Sequence, residues 1–225
     1  MLRYVTTNEG KVREAESYLA EGSVSQLDFD YPEIQADELG PIAAQGAREA
    51  FRYAGEPVLV DDAGLFIDAL DGFPGPYSAF VEDTLGIERV AELADTLSDT
   101  RAAFRCTLAY CDGGEFAASP DPIDRNDRGA AAAAGPDEAS AIEGDTPPDA
   151  ADHATDPVPV KLFEGYVPGR IVEPRGDGGF GYDPIFEHGG ETFAEMDTER
   201  KNAVSHRGRA LEKFAEWYAD REVSA

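Results

Sequence analysis

Two adjacent carboxylates, Asp61 and Asp62, end the stretch PVLVDD, which is predicted to be a buried strand over 57–62. In α/β folds, ligand-binding residues gather where strands end. Carboxylate oxygens suit Mg²⁺, and a carboxylate in this position can also polarise a water molecule. A capping Asp beside a solvated neighbour is the alternative interpretation. The pair therefore indicates a candidate cation site.

The stretch TTNEGK (6–11) is a candidate anion site between the first predicted strand and the first predicted helix. A Thr–Asn–Gly cluster there leaves backbone N–H groups free at the positive end of the helix, and Lys11 adds a charge. The stretch is not a Walker A loop, which needs an earlier Gly and a hydroxyl residue after the Lys. An N-cap with an incidental lysine is the alternative.

A second candidate anion site is ERKNAVSHRGRAL (199–211), where Lys201, His206 and Arg207 cluster at the start of the last predicted helix. The chain contains four lysines, and two of them, Lys11 and Lys201, lie in these two candidate sites. Arg207 can present paired donors to a planar acceptor edge. A histidine that only caps or packs is the alternative for His206.

The stretch GGFGYDPIF (178–186) fits no regular element, because three glycines surround Phe180 and Tyr182, and Asp183 and a proline follow. Glycines let a backbone approach a flat ligand closely. Elsewhere, Glu33 is an isolated acid in the short extended stretch PEIQ, where a surface position is expected for it. These two stretches carry chemistry only in combination with the others.

The hydrophobic periodicity predicts strands mixed with helices, which indicates an α/β fold. GFPGPY (72–77) is predicted to be a turn, and Ser205 is predicted to cap the last helix. Cys106 and Cys111 lie five residues apart on one strand, so they face opposite sides and are predicted to be reduced, buried thiols. The predicted strands are 2–6, 57–62, 101–111 and 160–172, and the predicted helices are 9–20, 40–55, 86–97 and 205–221.

The charge balance restricts the partners of this chain. Its 225 residues carry 46 acidic and 19 basic side chains, a net charge of −27. Such a surface opposes binding to nucleic-acid polymers and to anionic membranes. No apolar run is long enough for a membrane span, and the N-terminus lacks an apolar signal core, so a cytoplasmic location is expected. The acidic, lysine-poor composition resembles that of salt-in halophiles, in which high salt screens the repulsion.

An acidic segment rich in Ala, Asp and Pro, residues 115–157, interrupts the pattern. It has few large apolar side chains and cannot bury enough surface to offset its chain entropy, so it is predicted to be a disordered insertion. Strand-like sequence resumes at 160, which predicts a hairpin that the insertion splits. A solubility role is the simplest interpretation of the segment.

Taken in order, these motifs resemble the inosine triphosphate pyrophosphatases, also called the non-canonical purine NTP pyrophosphatase or Ham1-like family. The resemblance covers 2–111 and 160–218. It implies a single domain over 1–225, an elongated mixed sheet with flanking helices in two lobes around a nucleotide cleft. The motifs that carry it are TTNEGK, VDDAGL, GFPGPYSA, GGFGYDPIF, TFAEM and KNAVSHRGRAL.

The family resemblance also implies a homodimer that hydrolyses ITP, dITP and XTP to the monophosphate and pyrophosphate with Mg²⁺. In the residue assignments that follow from it, Glu33 and Asp62 bind Mg²⁺, Asp62 is the base for the attacking water, and Asp61 supports it. The triphosphate is assigned to Thr6, Thr7, Asn8, Lys11 and the backbone of Ala63. The base is assigned to Phe180, Gly181, Tyr182, Asp183, Lys201, His206 and Arg207.

Within that assignment, Phe180 offers a face on which a purine can stack, and Asp183 is a hydrogen-bond partner for the base edge. The chain departs from the family pattern at two positions: Ala63 replaces a hydroxyl residue, and Gly46 replaces a lysine that faces the phosphates. Three alternatives remain at this stage. One is a Maf-like pyrophosphatase that acts on other nucleotides, and another is a nucleotide-binding module without catalysis. The third is an acidic interaction protein that works through the insertion at 115–157.

Overall fold

The computed structural model describes residues 1–20, 22–116 and 158–224. Within them, helices flank one mixed sheet of eight strands, so the predicted α/β fold is confirmed. The strands are β1 (Leu2–Val5), β2 (Val24–Leu27), β3 (Val58–Ile67), β4 (Pro74–Gly75), β5 (Arg101–Cys111), β6 (Lys161–Ile171), β7 (Phe186–His188) and β8 (Glu191–Thr192). The helices are α1 (Glu9–Tyr18), α2 (Leu39–Ala54), α3 (Ser78–Leu85), α4 (Ile87–Asp95), α5 (Thr198–Val204) and α6 (His206–Ser224).

The sheet has the order β2-β1-β3-β5-β6-β7-β8, and β4 pairs with β3 beside this path. β1 runs parallel to β2 and β3, whereas the other neighbours are antiparallel. β5 and β6 pair from Arg101↔Arg170 to Tyr110↔Lys161, which confirms the hairpin predicted on either side of the insertion. From residue 117 onward, the predicted insertion lies outside the described residues.

The prediction that Asp61 and Asp62 end a strand is wrong. β3 continues past them to Ile67, and Asp62 lies opposite Thr107 of β5. The partner strand supplies hydrogen bonds across Ala-Gly, a dipeptide whose own strand preference is weak, so pairing overrides local propensity here. The sequence also did not predict α3, α5 or the short strands β2, β4, β7 and β8, and the predicted turn at 72–77 contains β4.

The alternation of β3 sends its two acidic side chains to opposite faces of the sheet. Val58 and Val60 pack with the alanines of α2 on one face. Leu59 packs with Leu211 and Phe214 of α6 on the other face. Asp62 follows Val58 and Val60 on the α2 side, and Asp61 follows Leu59 on the α6 side.

The cysteines and the last helix follow the predictions made for them. Cys106 packs in the cluster beneath α6 and Cys111 in the cluster beneath α2, and both are free and buried. The Ser205 hydroxyl accepts a hydrogen bond from the Gly208 N–H at 2.9 Å, which makes Ser205 the cap of α6. Over the described residues, none of the helices combines the length and the apolar character that a membrane crossing requires.

Candidate functional site

One cleft of about 650 Å³ collects residues from α1, β3, α3, the loop between β6 and β7, α5 and α6. A volume of this size is typical of small-molecule sites. Thr6 and Thr7 belong to the loop before α1 but are not among its described lining residues. The predicted site residues that line the cleft are Asn8, Lys11, Glu33, Asp61, Asp62, Ala63, Phe180, Gly181, Tyr182, Asp183, Lys201, His206 and Arg207.

Asp61 is the centre of a buried ionic cluster on the α6 side of β3. Lys11 Nζ donates to both carboxylate oxygens of Asp61 at 3.0 Å, and Arg207 Nε donates to Oδ2 at 3.1 Å. The Tyr4 hydroxyl donates to Oδ1 at 3.0 Å. The Asp61 side chain is only 2% exposed. This carboxylate therefore holds both cations in place at the edge of the cleft.

The electrostatics of this cluster keep Asp61 ionised. Burial acts to raise the pKa of Asp61, but the charges and hydrogen bonds of Lys11 and Arg207 outweigh burial and hold its pKa well below its usual range. Arg207 Nη1 also lies 3.4 Å from Glu14 Oε2. Sequence reasoning missed Tyr4 and Glu14. The spacing of Glu14 three residues after Lys11, on one face of α1, was the available signal.

Asp62 has the opposite environment on the α2 side of β3. Its Oδ2 atom is buried and makes no hydrogen bond to any described residue. Burial, and then the charges of Glu33 and Asp61, raise the pKa of Asp62 to about 7. A buried carboxylate that faces other acids is destabilising unless a cation or a proton joins it.

The loop before α1 forms an N-terminal helix cap. Such a cap was the alternative that the sequence left open to an anion site at residues 6–11. The Asn8 side chain accepts a hydrogen bond from the Gly10 N–H at 2.8 Å, and the Thr6 hydroxyl accepts one from the Asn8 N–H at 3.0 Å. A cap of this kind does not exclude an anion, because α1 directs its positive end toward Lys11 and the cleft. Phosphate binding by this loop stays a prediction.

The aromatic wall of the cleft is formed by Phe180, whose side chain is 63% exposed. Lys201 Nζ lies 4.2 Å from the centroid of the Phe180 ring. Asp183 Oδ2 accepts a hydrogen bond from the Phe180 N–H at 2.7 Å and also binds the Lys201 ammonium. Asp183 itself is buried. It thus fixes both the loop backbone and Lys201, a positioning role that the sequence did not indicate.

Tyr182 joins this wall to the neighbouring elements. Its hydroxyl donates to the Ser78 carbonyl at 2.8 Å, and its ring is buried. Gly181 beside it has φ of +60°, a conformation that favours glycine. The Ser78 hydroxyl in turn accepts a hydrogen bond from the Leu65 N–H at 2.8 Å. These bonds fix the Phe180 loop against α3 and β3.

His206 closes the cleft at the start of α6. Its ring stacks on Phe104, with centroids 4.8 Å apart and an interplanar angle of 14°. Burial, and then the charges of Arg207 and Lys201, lower the pKa of His206 to about 3. The imidazole is therefore neutral at physiological pH, and one ring nitrogen donates while the other accepts.

The acidic pair Glu33 and Asp62 is the part of the cleft that suits a metal ion. The described residues contain no group of three or more His, Cys, Asp or Glu side chains arranged to hold a metal. Mg²⁺, however, commonly takes one or two carboxylates and completes its shell with water and phosphate oxygens. The unpartnered oxygen of Asp62 fits that requirement.

Fold and site together define a class of protein. It is an α/β protein whose cleft combines the acidic pair Glu33 and Asp62, the ammonium and guanidinium groups that Asp61 holds, and the exposed ring of Phe180. The chain belongs to the Ham1 family, whose profile matches residues 2–120 and 150–217.

Individual relatives agree with this assignment. The dITP/XTP pyrophosphatase of Methanosarcina mazei is 39% identical over 218 residues, covering 96% of this chain and 95% of that protein. The dITP/XTP pyrophosphatase of Methanopyrus kandleri is 41% identical over 220 residues, covering 96% and 94%. The solved structure of a HAM1 protein from Coxiella burnetii has a TM-score of 0.70 at 30% identity and covers 98% of this chain and all of that one.

Proposed function

We propose that this protein hydrolyses the non-canonical purine nucleoside triphosphates ITP, dITP and XTP to the monophosphate and pyrophosphate. One observation carries the proposal: a single cleft holds three kinds of group. They are the unpartnered Asp62 carboxylate beside Glu33, the cationic side chains of Lys11 and Arg207, and the exposed ring of Phe180. Relatives at about 40% identity that are named dITP/XTP pyrophosphatases support the choice of substrate. The reaction removes deaminated purines from the nucleotide pool, which suits a cytoplasmic protein.

The metal in this proposal is Mg²⁺, which Glu33 and Asp62 would hold. Its charge would offset the negative charge of the phosphate oxygens. Asp62 polarises the water that attacks the α-phosphorus. Lys11, fixed by Asp61, stabilises the pyrophosphate that leaves, together with the free N–H groups at the start of α1. Asp61 acts through Lys11 and Arg207 rather than on the substrate.

The base is proposed to stack on Phe180 and to meet hydrogen-bond donors of the Lys201–Arg207 segment. Hypoxanthine and xanthine have a keto oxygen at C6, whereas adenine has an amino group there that would face a donor. An unmatched buried polar pair costs about 1–3 kcal/mol, or roughly tenfold to a hundredfold in selectivity. Arg207 directs Nε and Nη1 to Asp61 and Glu14, and Lys201 binds Asp183, whereas Nδ1 of His206 is buried without a hydrogen-bond partner among the described residues. His206 is therefore the first candidate for the donor.

A substrate panel tests the proposed function. Pyrophosphate release is measured with dITP, XTP, dATP and a pyrimidine triphosphate, with Mg²⁺ in molar KCl because of the net charge of −27. We expect dITP and XTP to be preferred over dATP by about tenfold or more. Equal rates with dATP, preference for the pyrimidine, or ITP binding without pyrophosphate release would each contradict the proposal. Preference for the pyrimidine would favour the Maf-like alternative, and ITP binding without pyrophosphate release would favour the non-catalytic alternative.

Replacing Phe180 with Ala is expected to weaken dITP binding about 5- to 100-fold, because base–aromatic stacking contributes roughly 1–3 kcal/mol in nucleic-acid-binding proteins. The backbone hydrogen bond to Asp183 survives this change. Affinity for inorganic tripolyphosphate, which has no base, serves as the control and should not change. Unaltered dITP affinity, measured by calorimetry, would remove Phe180 from the base site.

We also propose that the protein is a homodimer. Three exposed aromatic side chains follow one another from the β3–β4 turn into α3, and we call Phe73, Tyr77 and Phe80 the aromatic patch. Their exposures are 43%, 38% and 68%. Exposed apolar patches often mark protein interfaces, where aromatic residues are enriched.

The Phe80→Glu variant is expected to shift the protein toward monomer, because it places a charge in the aromatic patch. Sedimentation velocity at several KCl concentrations measures the effect. Leu93→Glu is a matched control, because Leu93 is 42% exposed on α4 and lies outside the patch. A monomeric wild-type protein, or a Phe80→Glu dimer as stable as the control, would rule out this interface.

A further inference from the structure

Helix α3 lies between the two ends of the cleft. At its start, the Ser78 hydroxyl accepts a hydrogen bond from the Leu65 N–H at 2.8 Å, and Leu65 lies three residues after Asp62 on β3. The Ser78 carbonyl accepts a hydrogen bond from the Tyr182 hydroxyl at 2.8 Å, and Tyr182 lies two residues after Phe180. One side of α3 therefore faces the space between the acidic pair and the aromatic wall of the cleft.

Glu82 follows Ser78 by one turn of α3 and lines the cleft with it. Its side chain is half-buried and reaches the Phe180 loop, because Glu82 Oε2 lies 3.2 Å from the position that a Cβ atom on Gly181 would occupy. Within the part of the chain that the structure describes, this carboxylate makes no hydrogen bond or ion pair. Glu82 is thus an acceptor without a partner, beside the loop that carries the stacking ring.

The surroundings of Glu82 favour a ligand that brings hydrogen-bond donors. Burial, and then the charges of Asp83 and Asp183, raise the pKa of Glu82. A partly buried carboxylate next to other acids is destabilising, and a donor that binds it offsets part of this cost. Since no described side chain supplies that donor, a ligand with hydroxyl or N–H groups in the cleft is the source that fits.

The covalent order of a nucleoside triphosphate decides which of its groups comes closest to α3. The sugar joins the base to the α-phosphate. A nucleotide with its base on Phe180 and its phosphates near Asp62 and Lys11 therefore has its sugar between them, beside α3. Ribose carries neighbouring hydroxyl donors at C2′ and C3′, which suit the two acceptor oxygens of a carboxylate. In dinucleotide-binding folds, an Asp or Glu binds the ribose 2′-hydroxyl in this way.

We propose that Glu82 is a specificity-determining residue whose carboxylate accepts hydrogen bonds from the ribose hydroxyls of the bound nucleotide. The inference rests on the proposed function, because it takes the order of base, sugar and phosphates in the cleft from that proposal. The proposed base and phosphate contacts do not distinguish ribose from deoxyribose, whereas this contact does. Deoxyribose lacks the 2′-hydroxyl, so ITP is preferred over dITP.

The Glu82→Ala variant tests this role, and Asp83→Ala is the matched control. Asp83 is the next residue of α3 and is also acidic, but it is exposed and is not among the described lining residues of the cleft. Alanine favours a helix, so both variants should keep the fold. We expect the wild-type kcat/KM for ITP to exceed that for dITP about tenfold, because dITP lacks one hydrogen bond to a charged acceptor. Glu82→Ala should abolish this preference, and Asp83→Ala should leave it unchanged.

Calorimetry with the monophosphates IMP and dIMP repeats the comparison without turnover. The wild type should bind IMP about tenfold more tightly than dIMP, and Glu82→Ala should bind the two equally. Equal binding of the two by the wild type, binding of neither, or an unchanged preference in Glu82→Ala would overturn the inference. A preference for IMP that Glu82→Ala removes, in a protein that releases no pyrophosphate from ITP, would contradict the proposed function and support the role of Glu82.

Discussion

Asp62→Asn is expected to reduce pyrophosphate release from dITP by about 10²–10⁴-fold, because it removes both a metal ligand and the group that polarises the water. Asn has nearly the same volume, so packing on the α2 side of β3 should not change. Binding of dITP should largely persist, since the stacking surface of Phe180 and the cations around Asp61 are untouched. If the Asp62→Asn variant kept the wild-type turnover, a group other than Asp62 would have to polarise the attacking water.

The same substitution is expected to stabilise the metal-free protein at pH 8. The ordinary pKa of the Asp62 carboxyl is 3.8 and the folded protein raises it to about 7, so between these values the folded state binds the extra proton. Wild-type stability therefore falls as the pH rises from about 4 to about 7, and it is level above 7, where the carboxyl is ionised in both states. We expect Asp62→Asn to gain about 2 kcal/mol at pH 8, or roughly 4–8 °C in Tm.

Thermal unfolding in EDTA at two pH values checks this prediction. At pH 5 the wild-type carboxyl is protonated in the folded state, so the difference between Asp62→Asn and wild type should be smaller than at pH 8. Saturating Mg²⁺ at pH 8 should stabilise the wild type and not the variant. A variant that is less stable than the wild type at pH 8 would show that Asp62 has a protein partner after all.

Asp61→Asn is expected to have the opposite effect on stability, although it lies next to Asp62 in the chain. It leaves the charges of Lys11 and Arg207 without their shared buried partner. Removing one member of a buried ion pair costs about 3–5 kcal/mol. The folded pKa of Asp61 is lowered, so its contribution is present above its ordinary pKa of 3.8 and is lost as the pH falls.

Asp99→Asn is the matched control for this substitution. Asp99 also pairs with an arginine, because Arg101 Nε donates a hydrogen bond to Asp99 Oδ2 at 2.9 Å. This pair is at the surface, since the Arg101 side chain is 73% exposed. Exposed pairs contribute little to stability. Denaturant unfolding at pH 7 should therefore show a large loss for Asp61→Asn and a much smaller one for Asp99→Asn. Equal losses would mean that Asp61 does not hold the cationic cluster.

Local sequence was sufficient for most of the elements. Periodicity predicted the strands β1, β5 and β6 and the helices α1, α2, α4 and α6, because each has a clear apolar side. It did not predict short strands such as β7 and β8, which have too few residues for a periodic signal. The periodicity also predicted that β3 ends at Asp62, because Ala63 and Gly64 have weak strand preference. Pairing with β5 extends the strand beyond this point.

The sequence by itself determined the chemistry that this protein contains: which acids, cations and aromatic side chains are present, and the motif order that indicates the Ham1 family. Only the tertiary structure decided what the two adjacent acids do. Asp61 meets Arg207, 146 positions away, whereas Asp62 faces Glu33 and has an unpartnered oxygen among the described residues. Strand alternation sends neighbouring side chains to opposite faces, and long-range packing determines which charges lie on each face.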